Sequence, residues 1–177
     1  MSEIHIGHAD IYVSDYTGSI PADETLEVAG NMLGKVKGGA SIEYKPTEKE
    51  VMSDDKTVQE RYEVGCEVTV KAGVLTLNGS KVKSMVANGE YEDDAENHVR
   101  ILKLGSNSIS PMKKYVVRLV HPINNTLKYR ATILATASDG FGIAFNPENE
   151  TVIDAAFKAM SMSDGTKLIL AEDYSAT

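Results

Sequence analysis

The chain is predicted to be mainly β, built of antiparallel strands with one α-helix packed on a sheet. Three observations predict it. First, Tyr62, Val64, Cys66, Val68 and Val70 alternate with Arg61, Glu63, Gly65, Glu67, Thr69 and Lys71, the period of two of a half-buried antiparallel strand. Second, short β-rich runs punctuated by turn residues occupy most of the remaining chain. Third, a single helical pattern runs from Asn78 to Ala87, with Asn78 as N-cap, Val82, Met85 and Val86 on one side, and Asn88-Gly89 as the stop. A helix apolar on one side only needs a sheet to lie on.

The other elements follow in order. Ala9 to Val13 reads as a first strand, and Ser14 to Pro21 as a loop of Asp, Thr, Gly, Ser and Pro. A weaker apolar run near Leu26 to Leu33 is broken by Gly34 and Gly38-Gly39, after which Ala40 to Tyr44 resumes an extended pattern. Lys45 to Lys56 carries Pro46, many charges and little periodicity, and is expected to be a long exposed hairpin loop. Tyr91 to Asn97 is expected to be an acidic connection, and Val99 to Leu104 a strand with Val99, Ile101 and Leu104 toward the core. Tyr115 to His121 and Thr126 to Thr136 make the clearest hairpin, joined through Pro122-Ile123-Asn124-Asn125. Phe141 to Phe145 is a short strand. Thr151 to Met160 and Thr166 to Ala171 are expected to pair across Ser163-Asp164-Gly165. Val152, Ala156 and Ala159 would equally line a helix; the Asp-Gly turn favours the strand.

Length and composition fit one domain over residues 1–177, since 177 residues with 42% hydrophobic content can build one core without metals or disulfides. The single cysteine, Cys66, sits on the apolar side of its strand beside Glu67, the setting of an inert buried thiol. No apolar run reaches the roughly 20 residues that span a bilayer, and the first residues lack a signal-peptide pattern. The expectation is a soluble protein with no membrane partner, made in a reducing cytoplasm.

The net charge of −8 argues against a protein that holds DNA, because that needs clustered cations. The charge is nevertheless segregated. Asn97 to Ser138 contains no Asp or Glu but holds Arg100, Lys103, Lys113, Lys114, Arg118, Lys128 and Arg130, whereas Ser41 to Glu96 is acidic. Opposite patches can steer self-association; solvated strand faces give the same pattern.

No motif predicts chemistry. His5-Ile6-Gly7-His8 and Lys158 to Ser163 match fragments of class I aminoacyl-tRNA synthetase motifs but lack the βαβ context. Gly30, Gly34 and Lys35 miss the spacing of a phosphate loop, with Val36 where a metal-binding hydroxyl is required. Glu92, Asp93, Asp94 and Glu96 lack calcium-loop spacing. His98 and His121 have no nucleophile in a recognisable setting, and acceptor-type sequences at Asn78, Asn124 and Asn149 matter only in secreted proteins. No catalytic residue, metal or cofactor is expected.

Four stretches together resemble the major tail tube subunits of bacteriophages. They are GKVKGGASIEYKP (Gly34 to Pro46), QERYEVGCEVTV (Gln59 to Val70), NGSKVKSMVANG (Asn78 to Gly89) and IDAAFKAMSMSDGTKLILAED (Ile153 to Asp173). The resemblance favours the strand reading of 151–160. It implies two antiparallel sheets packed face to face, as a β-sandwich or partly open barrel, with one α-helix on the flank, in a non-enzymatic virion protein assembled in the host cytoplasm, whose six-membered rings join inner sheets edge to edge and stack into a tail tube. Its partners would be further copies of itself, tip or initiator and terminator proteins, and genomic DNA passing through unbound. A type VI secretion or contractile-injection tube subunit is the near alternative; a monomeric capsid-decorating or binding module is the more distant one.

By the same resemblance, Lys45, Glu48, Lys49, Glu50, Asp54, Asp55 and Lys56 would lie in the loop that touches the next ring, and Glu172 to Thr177 in an assembly arm. Glu60, Glu63 and Glu67 are candidate acids for the channel wall. The basic stripe Arg118, Lys128 and Arg130 is expected on the outside or against a neighbour's acidic loop, since in the channel it would retard DNA.

Overall fold

Lys114–Pro122 (β6) and Lys128–Thr136 (β7) form the hairpin on which the molecule is organised. Asn124 sets its turn, its side-chain oxygen accepting from the backbone of Thr126 and Leu127 at 2.8 and 2.7 Å. The computed structural model describes residues 9–52, 54, 58–74, 82–83, 89–105, 112–124, 126–136, 141–144 and 152–174. Around the hairpin lie Asp10–Asp15 (β1), the short helix Asp23–Leu26 (α1), Met32–Met52 (β2), Val58–Val74 (β3), Gly89–Asp94 (β4), Val99–Leu104 (β5), Phe141–Ala144 (β8), Val152–Met160 (β9) and Ile169–Glu172 (β10).

The chain is mainly β, as expected, with two antiparallel sheets, one large and one small. The large sheet runs β10-β7-β6-β1-β2-β3-β9-β8, and β4 pairs with β5 in the small one. A further pairing, Leu134 to Met160 through Thr136 to Lys158, joins β7 to β9. It closes β7-β6-β1-β2-β3-β9 into a six-stranded ring. Alternation then has a simple meaning: one face of each strand fills the ring. Ile11, Leu33, Val70, Val117, Ile133, Ile153 and Phe157 do so and are essentially inaccessible, each stabilising the fold by about 1.5–3 kcal/mol.

Several expectations meet the structure differently. The segment 151–160 is a strand from Val152, but β9 does not pair with β10. Its turn forms, with Gly165 at φ 87° and Thr166 N donating to the Asp164 carboxylate at 2.9 Å. Leu168 then packs against the core, and β10 joins the edge of β7 instead. The acidic stretch 91–94 belongs to β4. In β5 the register is opposite to expectation: Leu102 packs on the core, while Val99, Ile101 and Leu104 are exposed. The helix expected over 78–87 lies largely outside the described residues; Val82 and Lys83 are helical, and Val82 is buried in the interior cluster. Among the described residues no helix is long and apolar enough to cross a membrane.

The largest difference concerns Lys45 to Lys56. Residues 45–52 are not loop but the outer part of β2, paired with β3 out to Met52 and Val58. Charge and Pro46 mask the strand in the sequence because β2 pairs on one side only here, where a missing N–H is tolerated and side chains are wet on both faces. The register makes Pro46 and Cys66 direct partners, close enough for a disulfide. Pro46→Cys is therefore expected to cross-link to Cys66 under mild oxidation, seen as loss of free thiol without dimer formation, whereas Thr47→Cys is not.

Candidate functional site

The outer halves of β2 and β3 leave the barrel together. β1 pairs with β2 no further than Lys35, and β9 pairs with β3 only from Thr69 to Val74. Lys45–Met52 and Val58–Val68 therefore form a two-stranded arm with no further strand on either outer edge among the described residues; at its base the Cys66 carbonyl accepts from Lys167 at 2.5 Å. At about 3.3 Å per residue the arm reaches roughly 25 Å.

A bulge decides which side chains share a face of this arm. Thr47 opposes Gly65 but Glu48 opposes Glu63, leaving Val64 as the extra residue, and the alternation inverts beyond it. Ile42 with Val70, Tyr44 with Val68, and Pro46 with Cys66 continue the barrel's inner face outward. Past the bulge Glu48, Glu63, Glu50 and Arg61 occupy that face, with Glu50 and Arg61 ion-paired at 2.9 Å. The Tyr44 hydroxyl donates to Glu63 at 2.6 Å, a contact that requires both on one side. This hydrogen bond, together with slight desolvation and the Glu63 charge, pushes the Tyr44 phenol up to about 12. Tyr44, Val51, Met52, Tyr62 and Val64 are 45–59% exposed, a large apolar area for an unsupported ribbon.

The three candidate channel acids are thus divided. Glu63 is turned to the inner face. Glu60, bonded by the Tyr62 hydroxyl, shares the outer face with Glu67, which pairs with Lys158 at 2.6 Å. That pairing, through hydrogen bond and charge, holds the Glu67 carboxyl below its usual range. Of the residues expected to touch a neighbouring ring, Lys45, Glu48, Lys49 and Glu50 lie along the arm and Asp54 in the turn at its tip. Asp55 and Lys56 lie outside the described residues.

The basic stripe, expected on the outside or against a neighbour's acidic loop, is engaged by acids of its own chain. Arg118, Lys128 and Arg130 project from the outer face of β6 and β7 and converge on acids of the same chain. The Glu27 carboxylate accepts Lys128 at 2.7 Å and Arg130 at 2.6 Å, with Arg118 at 3.3 Å. Arg118 also reaches Asp23 at 2.5 Å, and Arg130 reaches Asp173 at 2.6 Å. Three cations meet three acids, and the side chains of Arg118 and Glu27 are only 7% and 6% exposed. The stripe is an internal clamp rather than an exposed patch. It fixes α1 and the chain around it over the outer face, where Leu26 is buried and Asn31 closes the helix end by donating to the carbonyls of Thr25 and Leu26.

The same clamp holds the chain after β10. Asp173 accepts from the Lys128 amide at 3.0 Å and returns its own amide to the Lys128 carbonyl at 2.9 Å. Of the segment 172–177 expected as an assembly arm, Glu172 and Asp173 are docked on the barrel of their own chain, Tyr174 is exposed, and 175–177 lie outside the described residues. Sequence reasoning missed Asp23 and Glu27. Their i, i+4 spacing, which places both carboxylates on one side of a helix, was the available signal.

The rejected motifs have unremarkable surroundings where described. His98 sits in the β4–β5 turn at φ 55°, beside Asn97, which donates from backbone and side chain to Asp94. Glu92 pairs with Lys103 at 2.8 Å. Among the described residues no cluster of His, Cys, Asp and Glu could hold a metal ion. No protein-family model and no curated protein matches the chain.

Proposed function

We propose that the chain is a structural subunit that self-associates into stacked rings, a tube of the bacteriophage tail type through which DNA passes. The observation that carries this reading is the arm. A two-stranded ribbon is marginally stable alone, and unpaired edges with exposed Tyr, Val and Met side chains invite further strands. The barrel closes its own edges through β7 and β9, so among the described residues the strand edges left for pairing between copies are those of the arm, β8, β10 and the small β4–β5 sheet. The arm is also where the resemblance puts contact between rings. Six-fold rings, tip and terminator partners, and DNA as cargo come to the reading from that resemblance. The net charge of −8 accords with a wall that releases DNA rather than binding it.

Negative-stain electron microscopy of the full chain, alongside its sedimentation profile over a concentration series, tests the proposal. Rings or hollow tubes of uniform width are expected. A species that stays monomeric at every concentration, and also with tail-tip or initiator components added, would replace the tube by a monomeric binding module.

A further inference from the structure

The barrel is closed along its flank, but among the described residues its inner face opens where β2 leaves β1. Asp10 and Lys35 are the last β1–β2 pair toward that end, and beyond it β2 continues as a separate wall leading into the arm. Between this wall and the ends of β6 and β7 lies a cavity of about 640 Å³, within the roughly 300–1,000 Å³ of small-molecule sites, for which barrel mouths are a common place. Val36, Ala40 and Ile42 line it from β2 and Leu119 from β6. On the opposite wall His121 and Tyr129 are cross-strand partners, so an imidazole and a phenol stand side by side in a lining whose other side chains are aliphatic.

We propose that this barrel mouth binds a small amphiphile, its apolar body against Val36, Ala40, Ile42 and Leu119 and a hydrogen-bond-accepting head at the Tyr129 hydroxyl, beside the His121 ring. The division of labour follows from the lining. Carbon surface gives affinity in proportion to the area covered, and the paired polar rings at one side fix which end of the ligand enters. The Tyr129 hydroxyl can donate as well as accept, and its donation suits a head such as a carboxylate. The site belongs to the single barrel and does not depend on assembly.

Titration calorimetry of the full chain with hexanoate, octanoate and decanoate tests this. Saturable binding of one molecule per chain is expected, tightening about fourfold per methylene until the cavity is filled. Tyr129→Phe, which keeps the ring, is expected to weaken binding roughly three- to tenfold, and Ala40→Trp to block it, with circular dichroism confirming the fold of each. Val51→Ser on the arm is expected to leave binding unchanged. Absence of saturable binding would overturn the proposal, as would binding that ignores Tyr129→Phe or is lost with Val51→Ser, the mark of adsorption to the arm.

Discussion

Glu27→Gln is expected to lower the stability of the isolated subunit by about 3 kcal/mol, the cost of removing one partner from a buried charge cluster. For a domain of this size that is a fall in Tm of roughly 6–12 °C. The substitution keeps shape and volume and leaves Arg118, Lys128 and Arg130 facing a neutral amide. Asp23 and Asp173 remain, but the Asp23 side chain is half exposed, and of the three cationic side chains Asp173 is ion-paired with Arg130 alone among the described residues. Charge, not packing, is what is lost, so the deficit should be largest near neutral pH.

Acid should reproduce it in the unmodified chain. Burial pushes the Glu27 carboxyl up, but hydrogen bonds and charge from Lys128 and Arg130 outweigh it and hold the group below its usual range. Asp173 is held down chiefly by Arg130. A carboxylate depressed in the folded state stabilises it above the unfolded pKa, and that contribution disappears as pH falls through the folded value. Urea midpoints should therefore be level near neutrality and decline below about pH 4, with a shallower decline in Glu27→Gln. Equal slopes in the two proteins would show that the clamp contributes nothing.

Shortening the arm has the opposite signature: little effect on the fold and complete loss of assembly. Joining Thr47 to Gly65, which are direct partners, through Asn-Gly supplies a two-residue hairpin turn of suitable twist. It removes Glu48 to Val64 and with them Val51, Met52 and Tyr62. The interior, from Val68 and Ile42 inward, is untouched, so Tm should be unchanged or slightly raised by the shorter connection. Sedimentation should show a monomer under conditions where the full chain forms large species. Retained assembly would move the contact to β8, β10 or the β4–β5 sheet.

Where the sequence failed to reveal structure, the cause was non-local. Alternation in 61–71 marks β3 correctly, and Val68 and Val70 face inward as their spacing requires. The inversion at Val64 comes from the pairing partner, not from β3 itself, so Glu63 and Tyr62 could not be placed from their own stretch. Asp164-Gly165 does reverse the chain, but a turn specifies local geometry only, and burial of Leu168 together with the open edge of β7 decides where β10 goes. The apparent basic stripe arises because Arg118 and Arg130 lie roughly a hundred residues from Glu27 in sequence. Charge counted along a chain cannot show which acids fold back onto it.

Hydrogen exchange of the arm amides in dilute subunit and in the assembled species bears most directly on the claim that the arm is the joining element. Segments 47–52 and 58–66 should exchange rapidly in the dilute subunit, because their outer edges are unpaired, and become strongly protected on assembly, while β6 and β7 are protected in both. Arm amides that exchange equally fast in the two states, with new protection appearing elsewhere, would contradict the account.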